Sequence, residues 1–271
     1  MSDRVTIEIA GGVADVRLNR PEKLNAVDNA MFHALAEAGE SIKADRSVRA
    51  VVLSGAGRGF CAGLDLDSFQ QMAGADTPDA TDGGNIGRRE EGRITNLAQQ
   101  ACYVWTEMPA VVIAAVHGPA VGAGIQLALA TDIRIVAPDA KLSVLEIRWG
   151  LVPDMTGTQM LPRLVGLDVA KELAFTGRMV SGTEAVQLGL ATRVADDPHA
   201  AAMELAQEIA GKNPNAVKGV KALLNMAGQV SLGDAFKIET ATMASLIGSP
   251  NNVEAVTAYF EKRDPKFADR D

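Results

Sequence analysis

Two glycine-rich turns constrain this chain more than any other feature. Each follows a short, continuous apolar run of the kind buried on both faces of a parallel sheet. Val48 to Leu53 leads into a turn ending Phe60-Cys61-Ala62-Gly63-Leu64-Asp65, and Ala110 to Val116 leads into His117-Gly118-Pro119-Ala120-Val121-Gly122-Ala123-Gly124. Glycine has no Cβ, so such turns bring two backbones close and leave N–H groups bare. The second turn runs into an apolar helix over Ile125–Thr131, whose first amides lack intrahelical partners and stand at the positive end of the helix dipole. Two converging amides make an oxyanion hole. Close packing within an α/β sheet asks for the same turns, and the residues alone leave both readings open.

The remaining pattern surrounds these turns with alternating strands and helices. Val5, Ile7, Ile9 and then Val13, Val16, Leu18 alternate about Gly11-Gly12, which predicts a hairpin. Asp28 is placed to cap a helix whose face carries Met31, Leu35, Ala38 and Ile42. Ile133 to Val136 completes a βαβ unit, and Lys141 to Ile147 reads as a further strand. From Leu161 the pattern turns helical, with Pro198, Pro214 and Pro250 placed to start successive helices. The polar, glycine-rich stretch 70–92 reads as a mobile surface segment.

Composition excludes several classes of partner. The net charge of −8 argues against a chain built for nucleic acid or an anionic membrane, so an anionic ligand must find local positive charge. Apolar residues make up 47% and aromatic ones only 4%, which calls for an aliphatic core with closely approaching backbones. Cys61 and Cys102 form no CxxC pair, as fits a reducing cytosol. The opening MSDRVTIEIAGG lacks a basic segment followed by an apolar run, so no signal peptide is expected. No stretch reaches the roughly 18 apolar residues of a membrane helix. A cytoplasmic protein is expected.

Common catalytic motifs are absent. The run GAGRGFCAG does not supply G-x-G-x-x-G, Gly211-Lys212 is followed by Asn213 rather than by Ser or Thr, and no G-x-S-x-G occurs. His33, His117 and His199 are far apart without a carboxylate at helix spacing, so no metal site is expected.

The segments LNRPEKLNAV (18–27), VVLSGAGRGFCAGLDL (51–66), AAVHGPAVGAGIQLALATDIRI (114–135), GLVPDMTGTQMLPRLVG (150–166) and FTGRMVSGTEAVQLGLATRV (175–194), with the tail AYFEKRDPKF (258–267), resemble the crotonase, or enoyl-CoA hydratase and isomerase, superfamily in order and spacing. The resemblance implies an α/β fold, a spiral of repeated ββα turns, with the acyl-CoA site in residues 1–200 and a helical oligomerisation region in 201–271. It implies a homotrimer or a dimer of trimers, and a coenzyme A thioester as substrate with no separate cofactor. Carried over by position, the amides of Leu64 and Ala123 match the oxyanion pair. Glycine is commoner in the family where Ala123 stands. Lys23, Leu24, Ala26, Ala62, Gly63, Asp65 and Leu66 match positions that grip the pantetheine and adenine, and Lys262, Arg263 and Lys266 are cations for the phosphates, from this subunit or a neighbour. A solvated charged face is the other reading of those tail residues.

The acid–base positions select among reactions. Hydratases of the family carry two glutamates, whereas here Gln126 stands at the first position and Glu146 at the second. Glutamine takes no proton from water at neutral pH, though it can orient one. Asp154 follows Glu146 across IRWGLVPD, a loop that Gly150 and Pro153 allow to double back. This pair resembles that of dienoyl-CoA isomerase, a branch that often has aspartate where Gln126 stands. The resemblance implies Asp154 as the base near C2 and Glu146 as the acid at the distal carbon. Enoyl-CoA hydration and a non-catalytic acyl-CoA-binding homologue are the alternatives. Simpler structural readings pair Glu146 with Arg148 and make Asp154 a helix N-cap.

Overall fold

In a computed structural model, described over residues 3–65, 87, 89 and 91–271, the N-terminal alternation becomes an antiparallel hairpin. β1 (Val5–Ala10) and β2 (Val13–Leu18) pair with Val5 opposite Leu18 and Ala10 opposite Val13. The Asp28 carboxylate accepts from the Met31 N–H and starts α1 (Asn29–Ala44), which buries Met31, Leu35, Ala38 and Ile42. β3 (Ala50–Gly55) then runs parallel to β2. An Asn96–Gln99 capping box opens α2 (Leu97–Glu107), which donates one orphan amide to each side chain's oxygen.

β4 (Val111–Val116) lies parallel to β3, and β6 (Ile133–Val136) parallel to β4. Between them come β5 (Pro119–Val121) and α3 (Ala123–Leu129). After β7 (Lys141–Ser143) follow α4 (Gly157–Val165), α5 (Leu167–Thr176), β8 (Val180–Ser181), α6 (Gly182–Gln187) and β9 (Arg193–Val194). The chain ends in α7 (Pro198–Ala210), α8 (Pro214–Met226), α9 (Leu232–Leu246) and α10 (Pro250–Glu261). The main sheet has the order β1-β2-β3-β4-β6-β9, antiparallel only at the hairpin, and β5-β7-β8 form a second, small sheet.

Helices cover both faces of the main sheet, which is why β3 is buried at all six positions. α1, α2 and α3 pack into the larger core. On the opposite face Ala202, Ala206 and Ala210, one face of α7 at four-residue spacing, meet Val13, Ala50, Val52, Ile113, Ala115 and Ile135. Alanine at each contact lets helix and sheet approach closely, the aliphatic packing that the composition predicted. α7 runs across residue 200 as part of this layer. The three prolines expected to open helices do so at α7, α8 and α10.

Two elements differ from expectation. The strand expected over Lys141–Ile147 stops at Ser143, and Glu146–Trp149 form a 3-10 turn. Its partners run out: β5 offers three residues before the chain turns into α3, and β8 pairs only with Lys141 and Leu142. The turn expected over 118–124 contains β5, because Pro119–Val121 finds that same partner. Most of the polar 70–92 stretch lies outside the described residues.

Candidate active site

β3 and β4 are parallel neighbours, so the turns after them leave the same edge of the sheet. Phe60 N donates to His117 O at 2.8 Å, Cys61 N to Pro119 O at 2.9 Å, and Val121 N to Cys61 O at 3.1 Å. On its other side the same segment runs beside residues 24–27, where Val27 N donates to Gly63 O at 2.8 Å and Asp65 N to Val27 O at 2.9 Å. Leu64 is thus bridged to Val27 through its neighbours, which turns its own N–H away from that partner.

The approach is too close for side chains. A Cβ on Gly124 would stand 2.3 Å from Cys61 O, and one on Gly63, at φ +90°, would stand 2.8 Å from Val121 O and 3.8 Å from Ala123 N. Gly63 therefore lies against the Ala123 amide. Ala123 is the first residue of α3, so its N–H has no intrahelical acceptor. α3 has only seven residues, so the amide itself, more than the helix dipole expected from the sequence, is what this turn offers.

The carboxyl groups stand beside the second turn. A Cβ on Gly122 would lie 3.7 Å from Glu146 Oε1, so the Glu146 carboxyl sits next to the residue preceding Ala123. Gln126, buried in α3, donates from Nε2 to Glu146 Oε1 at 2.6 Å. Glu146 Oε2 is buried and, among the described residues, without a hydrogen-bond partner. Burial pushes the Glu146 carboxyl above the ordinary carboxylate range, and the charge of Asp154 raises it further, while hydrogen bonds from the backbone and from Gln126 oppose the rise. Asp154 is exposed, yet desolvation on its packed side raises its carboxyl too, against a backbone hydrogen bond that lowers it. Met155 N, directly after Asp154, donates to Gln126 Oε1 at 2.8 Å, so the Gln126 amide brings Glu146 and the segment that carries Asp154 into one neighbourhood.

The two simpler readings of these acids fail. No Glu146–Arg148 ion pair forms among the described residues; Gln126 is the partner instead. The N-cap of α4 is Thr156, at φ +76° and without a side-chain cap bond, so Asp154 does not cap that helix.

The predicted thioester-binding residues divide. Ala62 N donates to Leu24 O at 2.9 Å, which joins the 23–26 segment to the 62–65 loop and places Leu24, Ala26, Ala62 and Gly63 together, with Lys23 exposed at the edge. Asp65 turns inward: its carboxylate meets the Arg20 guanidinium at 2.6 Å in a buried ion pair. That side chain holds the loop and does not project toward a ligand. Leu66 lies outside the described residues. Lys262 and Lys266 are exposed on a tail docked elsewhere. Arg49 donates to Phe267 O and Arg270 to Val48 O, which pins the tail at the start of β3. The turns leave its other end, about 20 Å away at roughly 3.3 Å per residue. Lys266, next to that anchor, therefore lies away from the turns within one chain.

Sequence reasoning missed Arg20 and Asn25. Fully buried Asn25 donates to Ala56 O and Gly59 O and accepts from Arg20 N, fastening the 20–27 segment to the first glycine turn. Polar side chains flanking the chosen Lys23-Leu24-Ala26 were the available signal. The histidines are structural where bonded: His117 contacts Gly57 O at 2.9 Å and His199 contacts Asp15 at 3.0 Å. Burial pushes the Cys61 thiol up to about 12 and raises Cys102 as well, so neither supplies a thiolate nucleophile. No group of three His, Cys, Asp or Glu side chains suited to a metal occurs among the described residues, and no helix there is long and apolar enough to cross a membrane.

The family model for enoyl-CoA hydratase/isomerase matches residues 8–270. The chain belongs to that family. Human enoyl-CoA hydratase domain-containing protein 2, mitochondrial, is 36% identical over 263 residues, covering 94% of this chain and 85% of that one. The peroxisomal Delta(3,5)-Delta(2,4)-dienoyl-CoA isomerase of Arabidopsis thaliana is 35% identical over 256 residues, 93% and 91% of the two chains. Mouse mitochondrial methylglutaconyl-CoA hydratase is 32% identical over 263 residues, 94% and 79%. Among solved structures, enoyl-CoA hydratase from Bacillus anthracis superposes with a TM-score of 0.87 at 31% identity, covering 97% of this chain and 98% of that one. Family membership accounts for the α/β architecture. It leaves the reaction open, since relatives at similar identity are named for hydration and for isomerisation.

Proposed function

We propose that the chain moves protons on an unsaturated acyl-CoA thioester through an enolate held by the Leu64 and Ala123 amides, and that its reaction is conversion of a 3,5-dienoyl-CoA into the 2,4-dienoyl-CoA. One observation carries this reading: the buried Glu146 carboxyl stands beside Gly122, next to the Ala123 amide, with one oxygen that has no hydrogen-bond partner among the described residues. On this reading Glu146, whose carboxyl burial raises, is the acid and the solvent-exposed Asp154 is the base, the division of labour that the reaction needs. Asp154 takes a proton from C2 as the thioester oxygen gains negative charge against the two amides. The dienolate then takes a proton at C6 from Glu146, leaving double bonds at C2 and C4. One such amide is worth roughly 3 kcal/mol to an enolate-like transition state.

Hydration of a 2-enoyl-CoA is the second reading, favoured by relatives named as hydratases. It would use Glu146 with a water held by the remaining N–H of Gln126. Crotonyl-CoA and a 3,5-dienoyl-CoA, followed by absorbance, separate the two. Dienoyl isomerisation much faster than hydration is expected; the reverse order overturns the proposal. Turnover of neither would leave an acyl-CoA-binding homologue.

The same reading has the pantetheine run along residues 23–26 and 62–65. It makes the functional unit a homotrimer or dimer of trimers, consistent with exposed Leu232, Phe236, Met243, Tyr259 and Phe260 on α9 and α10. Two buried thiols with no disulfide suit the reducing cytoplasm where we place it.

A further inference from the structure

We infer that Gln126 is a positioning residue: its side-chain amide fixes which oxygen of Glu146 carries the transferred proton and ties that carboxyl to the turn bearing Asp154. This rests on the role of Glu146 as proton donor proposed above. Gln126 Oε1 accepts from the backbone N–H of Met155 at 2.8 Å and of Gly157 at 3.0 Å. Two donors on one atom settle the orientation of the amide, because a flipped group would set its own N–H against both. Nε2 therefore faces Glu146 and donates to Oε1 at 2.6 Å. An amide N–H accepts no proton, so Oε1 stays an acceptor in both protonation states of Glu146. When the carboxyl is neutral, its proton sits on Oε2, the buried oxygen without a partner among the described residues.

The surrounding residues are shaped to this clamp. A Cβ on Gly157 would stand 2.7 Å from Gln126 Oε1, so only glycine lets the amide reach its donors. Thr156, between the two donors, is held at φ +76°, a conformation that β-branched residues rarely take. Asp154 directly precedes Met155. One side chain thus sets the proton-bearing atom of the acid and the placement of the segment that carries the base.

Gln126→Met keeps the length and removes the donor. It is expected to lower kcat for the dienoyl thioester roughly 100-fold with little change in KM, and to move the Glu146 midpoint to higher pH. Gln126→Glu tests the same point by rescue. While protonated, its carboxyl can accept both backbone N–H groups on one oxygen and donate to Glu146 from the other. Activity near that of the unaltered chain is expected at low pH, with loss as that proton leaves and the two carboxylates repel. The Glu146 midpoint is read without substrate by 13C NMR of glutamate-labelled protein, its signal assigned by its absence in Glu146→Gln. A purely structural role would lower the melting temperature and leave that midpoint where it was; an unchanged midpoint in both variants overturns the inference. Should Gln126→Met not fold, Gln126→Glu alone decides. A shifted midpoint in protein that turns over neither thioester would support the hold of Gln126 on Glu146 and overturn the proposed function.

Discussion

The turns at 60–65 and 117–124 meet through backbone, whereas Gln126, Glu146 and the 154–157 segment meet through side chains. On the amide side, the spacing is set by carbonyls and N–H groups in direct contact, and a methyl group at Gly124 would stand 2.3 Å from a backbone oxygen. On the carboxyl side, one glutamine amide holds the geometry with three hydrogen bonds. The contrast teaches where the chain can change. In the proposed reaction, backbone geometry serves thioester polarisation, while the fate of the proton depends on a few exchangeable side chains. Relatives named for different reactions at similar identity agree with that division.

Substitutions should separate the halves. The largest effect is expected on the carboxyl side: Glu146→Gln removes the acid while keeping shape, and should cut isomerisation roughly 1,000-fold with an unchanged melting temperature. Full activity in that variant would remove Glu146 from the chemistry. Next comes Gly124→Ala, where overpacking against Cys61 O should cost about 3 kcal/mol of stability, seen as a fall in the denaturant midpoint. Unchanged stability would mean that the two turns can separate without penalty. The mildest test alters no residue. Since the proposed reaction needs Asp154 ionised and Glu146 protonated, kcat/KM for the dienoyl thioester should rise with pH as Asp154 ionises and fall as Glu146 loses its proton. Both limbs should lie above the ordinary carboxylate range, because burial raises both groups. A profile flat from pH 4 to 8 would contradict the assignment of both roles.

Periodicity made much of the sheet legible, because strands buried on both faces must be continuously apolar: the runs read at Val48–Leu53 and Ala110–Val116 became β3 and β4 with their ends moved by at most two residues. Asp28 and the three helix-opening prolines were legible because caps act on their immediate neighbours. The strand expected over Lys141–Ile147 failed because its length depends on partners from β5 and β8, distant in sequence. Arg20 was missed for a related reason: its buried partner Asp65 lies 45 residues away, and nothing near either residue in the sequence marks the pair.

By itself, the sequence determined the alternating α/β order, the two bare turns and the presence of two acids eight residues apart. All of these follow from local propensity and spacing. Only the tertiary structure decided what surrounds those acids. Gln126 reaches Glu146 across twenty residues and the 155–157 turn across about thirty, and a carboxyl's affinity for its proton depends on the burial and charge that such contacts impose, which spacing along the chain does not encode.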